Sequence, residues 1–310
     1  MNRAPLEFEI SEAPTSGEVY WCDAPDGVRL RIGLWRHPLS IKGSILIFPG
    51  RTEYIEKYGR TIRELAGRGY SVLVIDWRGQ GLSDRLSDDP RMGHVRRFAD
   101  YQKDVQAMMD AAENLSLPKP WHLFGHSMGA TIGLRALDAG LAVRACVFTA
   151  PMWNIGLPRM KRAIARPLAG AFQALGMGER YAPGSDGSSY VLKNPFEVNR
   201  LTSDPDMYWY FVRQASSLED RQIGGLSMGW LYQTLREASL LSRVASPDIP
   251  CLTLVGKEDV VVDLDRVRNR MAHWPRGTLV WMEGARHDLQ SEVPVIRGVV
   301  FDRIDKFFGG

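Results

Sequence analysis

Cysteine is scarce in this chain of 310 residues. Cys22, Cys146 and Cys251 are too few and too widely spaced for a disulfide framework or a zinc site. Cys146 and Cys251 sit inside apolar runs, which suits core packing in a reducing compartment. No apolar run approaches the roughly 20 residues that span a bilayer, and the opening MNRAPLEFEISEAPTSGEV lacks the apolar stretch of a secretory signal. A soluble cytoplasmic protein is therefore expected. Charge of one sign is also lacking. The net charge of +3 is too weak to suggest nucleic acid, and no stretch concentrates Lys and Arg with interleaved aromatics along most of its length. No metal-ligand spacing and no cofactor motif is present, so neither cofactor nor metal is expected. Hydrophobic residues at 45% and charged residues at 24% are those of an ordinary folded domain, large enough here for one core with an insert.

What is present is an alternation. Residues 18–36 read as a β-hairpin, with Val19–Cys22 and Val28–Trp35 as strands about the turn APDG. Short apolar strands then alternate with helices: strand Ser44–Phe48, helix Tyr54–Arg68, strand Ser71–Ile75, helix Phe98–Asn114, strand Trp121–Phe124, helix Met128–Ala139 and strand Ala145–Thr149. Such alternation predicts a parallel sheet covered on both faces. It stops near Trp153 and resumes at Cys251–Val255, then helix 263–274, strand Thr278–Met282 and helix 293–308. The expected organisation is a core from 1–151 and 241–310, with residues 152–240 as a helical cap over the carboxyl ends of the strands, where open α/β sheets bind ligands.

The strongest motif is Gly125-His126-Ser127-Met128-Gly129, between strand WHLF and helix MGATIGLRALDA. Strand, G-x-S-x-G and helix in that order form an elbow that presents a serine on a strained backbone. A serine hydroxyl needs a base. Among six histidines, His287 follows the last strand in the turn EGARH, at the sheet edge where Ser127 emerges. His126, His37, His94, His122 and His273 read as structural or surface residues, His126 pointing away from the chemistry. Asp259, in GKED after strand CLTLV, is the candidate carboxylate that orients the base. Asp263 and Asp265 begin a helix, where capping is the plainer role. The oxyanion donors expected are the backbone N–H groups of Met128 and of Arg51, the latter in the loop Phe48-Pro49-Gly50-Arg51-Thr52. The Arg51 side chain reads either as solvated or paired with Glu53 or Glu56, or as a contact for an anionic part of the substrate. The loop Asp76-Trp77-Arg78-Gly79-Gln80-Gly81-Leu82-Ser83 reads as structural.

With these motifs in order, the sequence resembles the α/β-hydrolase superfamily, and within it the branch of bacterial lysophospholipases and monoacylglycerol lipases, the serine aminopeptidase-like hydrolases. The resemblance rests on FPGRTEYIEKYG (48–59), LAGRGYSVLVIDWRGQGLSD (65–84), FGHSMGA (124–130), LVGKEDVVV (254–262) and GARHDL (284–289). It implies a mostly parallel eight-stranded sheet with helices on both faces and an inserted helical cap, and a carboxylic ester substrate with a lipid-like acyl chain. One departure is Pro49-Gly50, where relatives commonly carry His-Gly.

Met152 and Trp153 open an apolar series of the insert and are the candidate substrate contacts. The series continues through Ile155, Leu157, Met160, Ile164, Leu168, Phe172 and Leu175, at helical spacing from Met160, with Pro167 placed to kink or break the helix. Arg159, Lys161, Arg162 and Arg166 accompany it, and no acidic residue lies between 153 and 178. Such a helix either rests on an anionic lipid surface or packs on the core. Tyr208, Trp209, Tyr210, Phe211, Trp230 and Tyr232 are further candidates for an acyl pocket. An amide hydrolase, a small-ester, lactone or thioester hydrolase, and an idle ligand-binding fold are the competing readings. The composition says nothing of oligomeric state.

Overall fold

A computed structural model describes residues 1–39, 42–156 and 159–310, the side chains of 159–162 excepted. Leu157 of the apolar series, and the side chains of Arg159, Met160, Lys161 and Arg162, lie outside the described residues. The chain runs through helix α1 (Phe8–Ser11), strands β1 (Glu18–Asp23), β2 (Arg29–Trp35) and β3 (Ser44–Phe48), helix α2 (Gly59–Gly67), β4 (Ser71–Asp76), α3 (Tyr101–Asn114), β5 (Trp121–His126), α4 (Met128–Asp138) and β6 (Ala145–Thr149). Four helices follow without a strand: α5 (Arg159–Ala174), α6 (Tyr190–Lys193), α7 (Pro205–Ser217) and α8 (Met228–Leu241). β7 (Cys251–Gly256), α9 (Leu264–Met271), β8 (Gly277–Met282) and α10 (Pro294–Gly309) complete the chain.

The strands form one eight-stranded sheet in the order β1-β2-β4-β3-β5-β6-β7-β8. β1–β2 and β2–β4 pair antiparallel and the rest parallel. This is the arrangement of the α/β-hydrolase fold. Both faces of the sheet are buried because successive side chains serve opposite cores. Leu46 and Phe48 pack on one side with Tyr101, Met108, Ile132, Leu134 and Val267. Ile45 and Ile47 pack on the other with Ile62, Leu65, Val300 and Phe308. Two expected helices begin as 3-10 turns, at Ile55–Tyr58 and Phe98–Asp100.

Pro167 sits inside α5, which continues through it. α5 packs on α8 through Ala165, Ala169 and Phe172. Ile164, Leu168 and Leu175 of the apolar series, for which the sequence leaves a lipid surface and the core both open, are exposed. The small Ala165 and Ala169 let the two helices approach closely, which turns the larger apolar side chains outward.

Buried ion pairs hold the loops at the sheet edge. Arg31 donates to Asp76 Oδ2 at 2.7 Å and to both oxygens of Glu56 at 2.8 and 2.6 Å, all with side chains sealed from solvent. Asp76 also accepts the backbone N–H groups of Ile55 and Leu82. Two residues on, Arg78 binds Asp104 and Asp26. Replacing one member of such a cluster strands the others. Arg31→Leu leaves the buried Asp76 without its cation and Glu56 with Arg221 alone, 3.2 Å away, and the expected loss is about 3–5 kcal/mol, read as a lowered urea midpoint.

Candidate active site

β5 ends at His126 and α4 begins at Met128, so Ser127 alone makes the turn between them, at φ 50° and ψ −114°. L-residues with a Cβ rarely adopt a positive φ, and the glycines on either side make it tolerable. A Cβ at Gly125 would come within 3.0 Å of Ala130 Cα, and one at Gly129 would collide with the Phe48 carbonyl. The start of α4 therefore presses directly on the end of β3, where the loop 49–52 begins.

Three side chains from three loops meet at this edge. Ser127 Oγ lies 3.0 Å from His287 Nε2, and His287 Nδ1 lies 2.8 Å from Asp259 Oδ2. An ionised carboxylate only accepts, so Nδ1 carries the proton and Nε2 is left to accept from the serine hydroxyl. Asp259 Oδ1 takes the N–H groups of Val261 and Val262 at 2.7 and 3.3 Å, which fixes the carboxylate. All three side chains are buried. Burial disfavours the His287 cation, but Asp259, joined by the nearby Asp288 and Glu53 carboxylates, outweighs it, so the imidazole titrates above its ordinary value. An arrangement of this kind can move a proton off the hydroxyl and hold the resulting imidazolium. Glu258 is exposed. Asp263 accepts the Arg266 N–H at the start of α9, and Asp265 pairs with Arg268.

The loop 49–52 is pinned on both sides of Arg51. The Gly50 N–H donates to Glu53 Oε2, the Thr52 N–H donates to Gln80 Oε1 at 2.6 Å, and Trp77 Nε1 donates to the Pro49 carbonyl at 2.9 Å. Thr52 takes a positive φ of 66°. Between these anchors the Arg51 N–H, like the Met128 N–H, has no hydrogen-bond partner among the described residues. Trp77 and Gln80 thus show what the loop after β4 does: it braces loop 49–52. The Arg51 guanidinium pairs with neither Glu53 nor Glu56. It donates to the carbonyls of Gly224 (2.9 Å) and Gly225 (2.6 Å) and lies over the Trp230 ring.

Behind these groups runs a buried chain of charges. Lys57 Nζ bridges Glu53 Oε1 (2.6 Å) and Asp288 Oδ2 (2.8 Å), and Asp288 Oδ1 lies 3.0 Å from His126 Nε2. Burial alone would lower the lysine pKa. The two carboxylates reverse that and raise it, while Lys57, joined by His126, holds Asp288 below the usual carboxylate range. Glu53, Lys57 and Asp288 tie the loop 49–52, the elbow and the His287 loop together. His126 does not point away from the site as expected. Its ring lies 4.9 Å from that of His287 and borders the pocket. His126, His287 and Asp288 bring ligand-type atoms within 4.8 Å of one another, but His287 is committed to Ser127 and Asp259, and Asp288 to Lys57. This donor set is a charge network, not an open metal site. His122 is buried beneath Phe308, and burial pushes its pKa down to about 4.

The pocket above Ser127 is mostly apolar. Met152, Leu201, Phe211, Leu226 and Val261 line it with Tyr190 and Trp230, mostly from the four-helix insert. Met152 falls where substrate contact was expected, its N–H bonded to the Ser127 carbonyl at 3.0 Å. Trp153 does not. It turns into the core, stacked on Trp274 at 6.1 Å and edge-on to Phe148 at 5.8 Å. Of the six aromatics proposed for an acyl pocket, Phe211 and Trp230 line it; Trp209 is exposed.

Comparison with known proteins agrees with this geometry. The sequence model of the family described as serine aminopeptidase, S33, matches residues 40–294. Lysophospholipase L2 of Escherichia coli K12 is 31% identical over 281 residues, covering 85% of this chain and 79% of the relative. The monoglyceride lipase of Homo sapiens is 26% identical over 313 residues, covering 96% and 94%. A solved monoglyceride lipase from Saccharomyces cerevisiae, complexed with a substrate analog, superposes with a TM-score of 0.73 over 98% of each chain at 18% identity.

The raised His287 pKa has a directional consequence. The base works neutral, so activity is lost as pH falls through its pKa. The acid limb of kcat/KM is expected above the ordinary histidine value of about 6.5. Asp259→Asn removes the main carboxylate that opposes burial, leaving Asp288 and Glu53, so that limb moves to lower pH while kcat falls by about 10⁴. Initial rates from pH 5 to 9 for both proteins check the sign.

Proposed function

Because this chain belongs to the serine aminopeptidase, S33, family, we propose that it is a serine ester hydrolase of the lysophospholipase and monoglyceride lipase kind, acting through Ser127, His287 and Asp259. Ser127 Oγ attacks the ester carbonyl carbon as its proton passes to His287 Nε2. The Met128 and Arg51 N–H groups receive the developing oxyanion. Asp259 steadies the imidazolium. The bond to the leaving alcohol breaks, His287 returns the proton to that oxygen, and the acyl group stays on Ser127. A water then gives a proton to His287 and attacks the acyl carbon. The acid departs and Ser127 regains its proton.

The observation that carries this reading is the Asp259–His287–Ser127 hydrogen-bond chain opening into an apolar pocket beneath the insert. An apolar pocket suits an acyl chain. An aminopeptidase would need a carboxylate for the substrate ammonium. The described carboxylates lining the pocket are Glu53 and Asp288, and Lys57 holds both.

We assign residues 152–240 to the cap and propose that it meets lipid at its outer face. Ile164, Leu168, Leu175 and Met177 are exposed there, beside the exposed Arg166. An apolar stripe with a cation at its edge suits an anionic surface. Among the described residues no helix is long and apolar enough to cross a membrane. A cytoplasmic site of action fits three unpaired cysteines.

Ser127→Ala is expected to lower kcat by on the order of 10⁶ on p-nitrophenyl esters. The wild type is expected to favour medium or long acyl chains over acetate, and to release fatty acid from lysophosphatidylcholine and 1-monoacylglycerol. Turnover unaffected by the substitution, or none on any ester, rejects the proposal.

A further inference from the structure

Arg51 is tied to the insert by its side chain and offers its backbone to the reacting centre. Its guanidinium takes the carbonyls of Gly224 and Gly225, in the segment between α7 and α8. That segment is fixed elsewhere: the Gly224 N–H donates to the Arg91 carbonyl at 2.7 Å, and the Gly225 N–H to the Asp186 carbonyl at 2.8 Å. Trp230, at the start of α8, lies under the guanidinium and also lines the pocket. The neighbouring N–H groups of Gly50 and Thr52 are held by Glu53 and Gln80, both outside the insert. Loop 49–52 therefore has three anchors in the core, from Glu53, Trp77 and Gln80, and one in the insert, and the last is on the residue whose N–H is free.

The arrangement is a costly one unless it does something. The guanidinium has no carboxylate partner among the described residues, and its Nε is buried without a hydrogen bond. Burial pushes its pKa down to about 10, so it stays charged at neutral pH. Bonds from a charged donor to neutral carbonyls are directional. Moving the 224–225 carbonyls would drag the Arg51 side chain, and a peptide rotation at Arg51 would turn its N–H away.

We infer that the Arg51 side chain is a positioning group that couples the covering insert to the oxyanion hole, so that the placement of the 224–225 segment sets the aim of the Arg51 N–H. The inference rests on reading Ser127 as the nucleophile and the Arg51 N–H as an oxyanion donor. It ties turnover to the state of the insert: displacement of the segment disarms the hole, and its seating arms it.

The test compares wild type, Arg51→Met, Arg51→Lys and Gly225→Ala on 1-monoacylglycerol and lysophosphatidylcholine, with kcat and KM measured separately. The affinity of an alkyl boronic acid, which forms a tetrahedral adduct on the serine, is measured alongside. A misaimed donor costs less than a missing one. Arg51→Met is therefore expected to lower kcat roughly 10- to 100-fold on both lipids, with KM nearly unchanged and boronic acid affinity falling by the same factor as kcat/KM. Arg51→Lys recovers part of the loss, since an ammonium can reach one carbonyl. Gly225→Ala lies outside the pocket lining, and its Cβ would press to 2.5 Å from Ser185 Cβ. It is expected to reproduce the kcat loss from the side of the insert, and it carries the test should Arg51→Met not fold. Wild-type kcat in Arg51→Met, a loss in KM alone, or an unchanged boronic acid affinity overturns the coupling. So does a loss confined to lysophosphatidylcholine, which would make the side chain a phosphate ligand. Wild-type turnover that survives Ser127→Ala overturns the underlying reading, and the coupling with it.

Discussion

The positive φ of Ser127 is the constraint on which the site depends. A strand and a helix that share a single residue as their joint must turn sharply there, and the turn lifts the hydroxyl above the sheet edge. The strain persists because its surroundings leave no room to relax. Pairing of β5 with β3 and β6 fixes one side, and the fit of Gly129 against Phe48 fixes the other. The same fit sets the Met128 N–H beside the loop that carries Arg51. One backbone conformation thus places both the hydroxyl and the proposed oxyanion donors.

The loops around the elbow are held mainly by charge. Arg31, Lys57 and Arg78 each bind two carboxylates in largely desolvated surroundings. Such clusters contribute little net stability over apolar packing, but they penalise any arrangement in which one member is unpaired. In this protein they act where geometry matters. Arg31 and Asp76 set the loop that braces residues 49–52. Lys57, through Glu53 and Asp288, joins loop 49–52 itself to the elbow and to the loop bearing His287. These positions specify registration between loops far apart in sequence, as the Lys57–Asp288 pair shows.

Much of this was legible in the sequence, for physical reasons that also explain what was not. Short apolar runs such as SILIF and VLVI, alternating with amphipathic helices, fit strands buried on both faces, so the parallel sheet could be read from the pattern. The elbow, His287 and Asp259 are each tied to a strand end, and strand ends come together at one edge in this topology. The Glu53–Lys57–Asp288–His126 chain left no local signal, because its members come from separate loops and acidic and basic residues in loops usually face water. The Arg51 side chain reads from the sequence as solvated, as paired with Glu53 or Glu56, or as a contact for an anionic substrate group; its partners are backbone carbonyls, to which composition is blind. Trp153, read as a substrate contact, turns into the core, and Ile164, open to lipid or core, turns outward. Apolar character says that a side chain can be buried, and only the packing of Ala165 and Ala169 on α8 decides which face of α5 is.

The proposed covalent step is open to direct observation. Purified protein treated with a fluorophosphonate, digested and examined by mass spectrometry should carry one adduct, on the peptide containing Ser127, and none in Ser127→Ala. A short-lived acyl adduct of the same peptide should be trapped when a long-chain p-nitrophenyl ester is quenched with acid during turnover. Label on another residue, or no label while ester is being hydrolysed, would contradict the account.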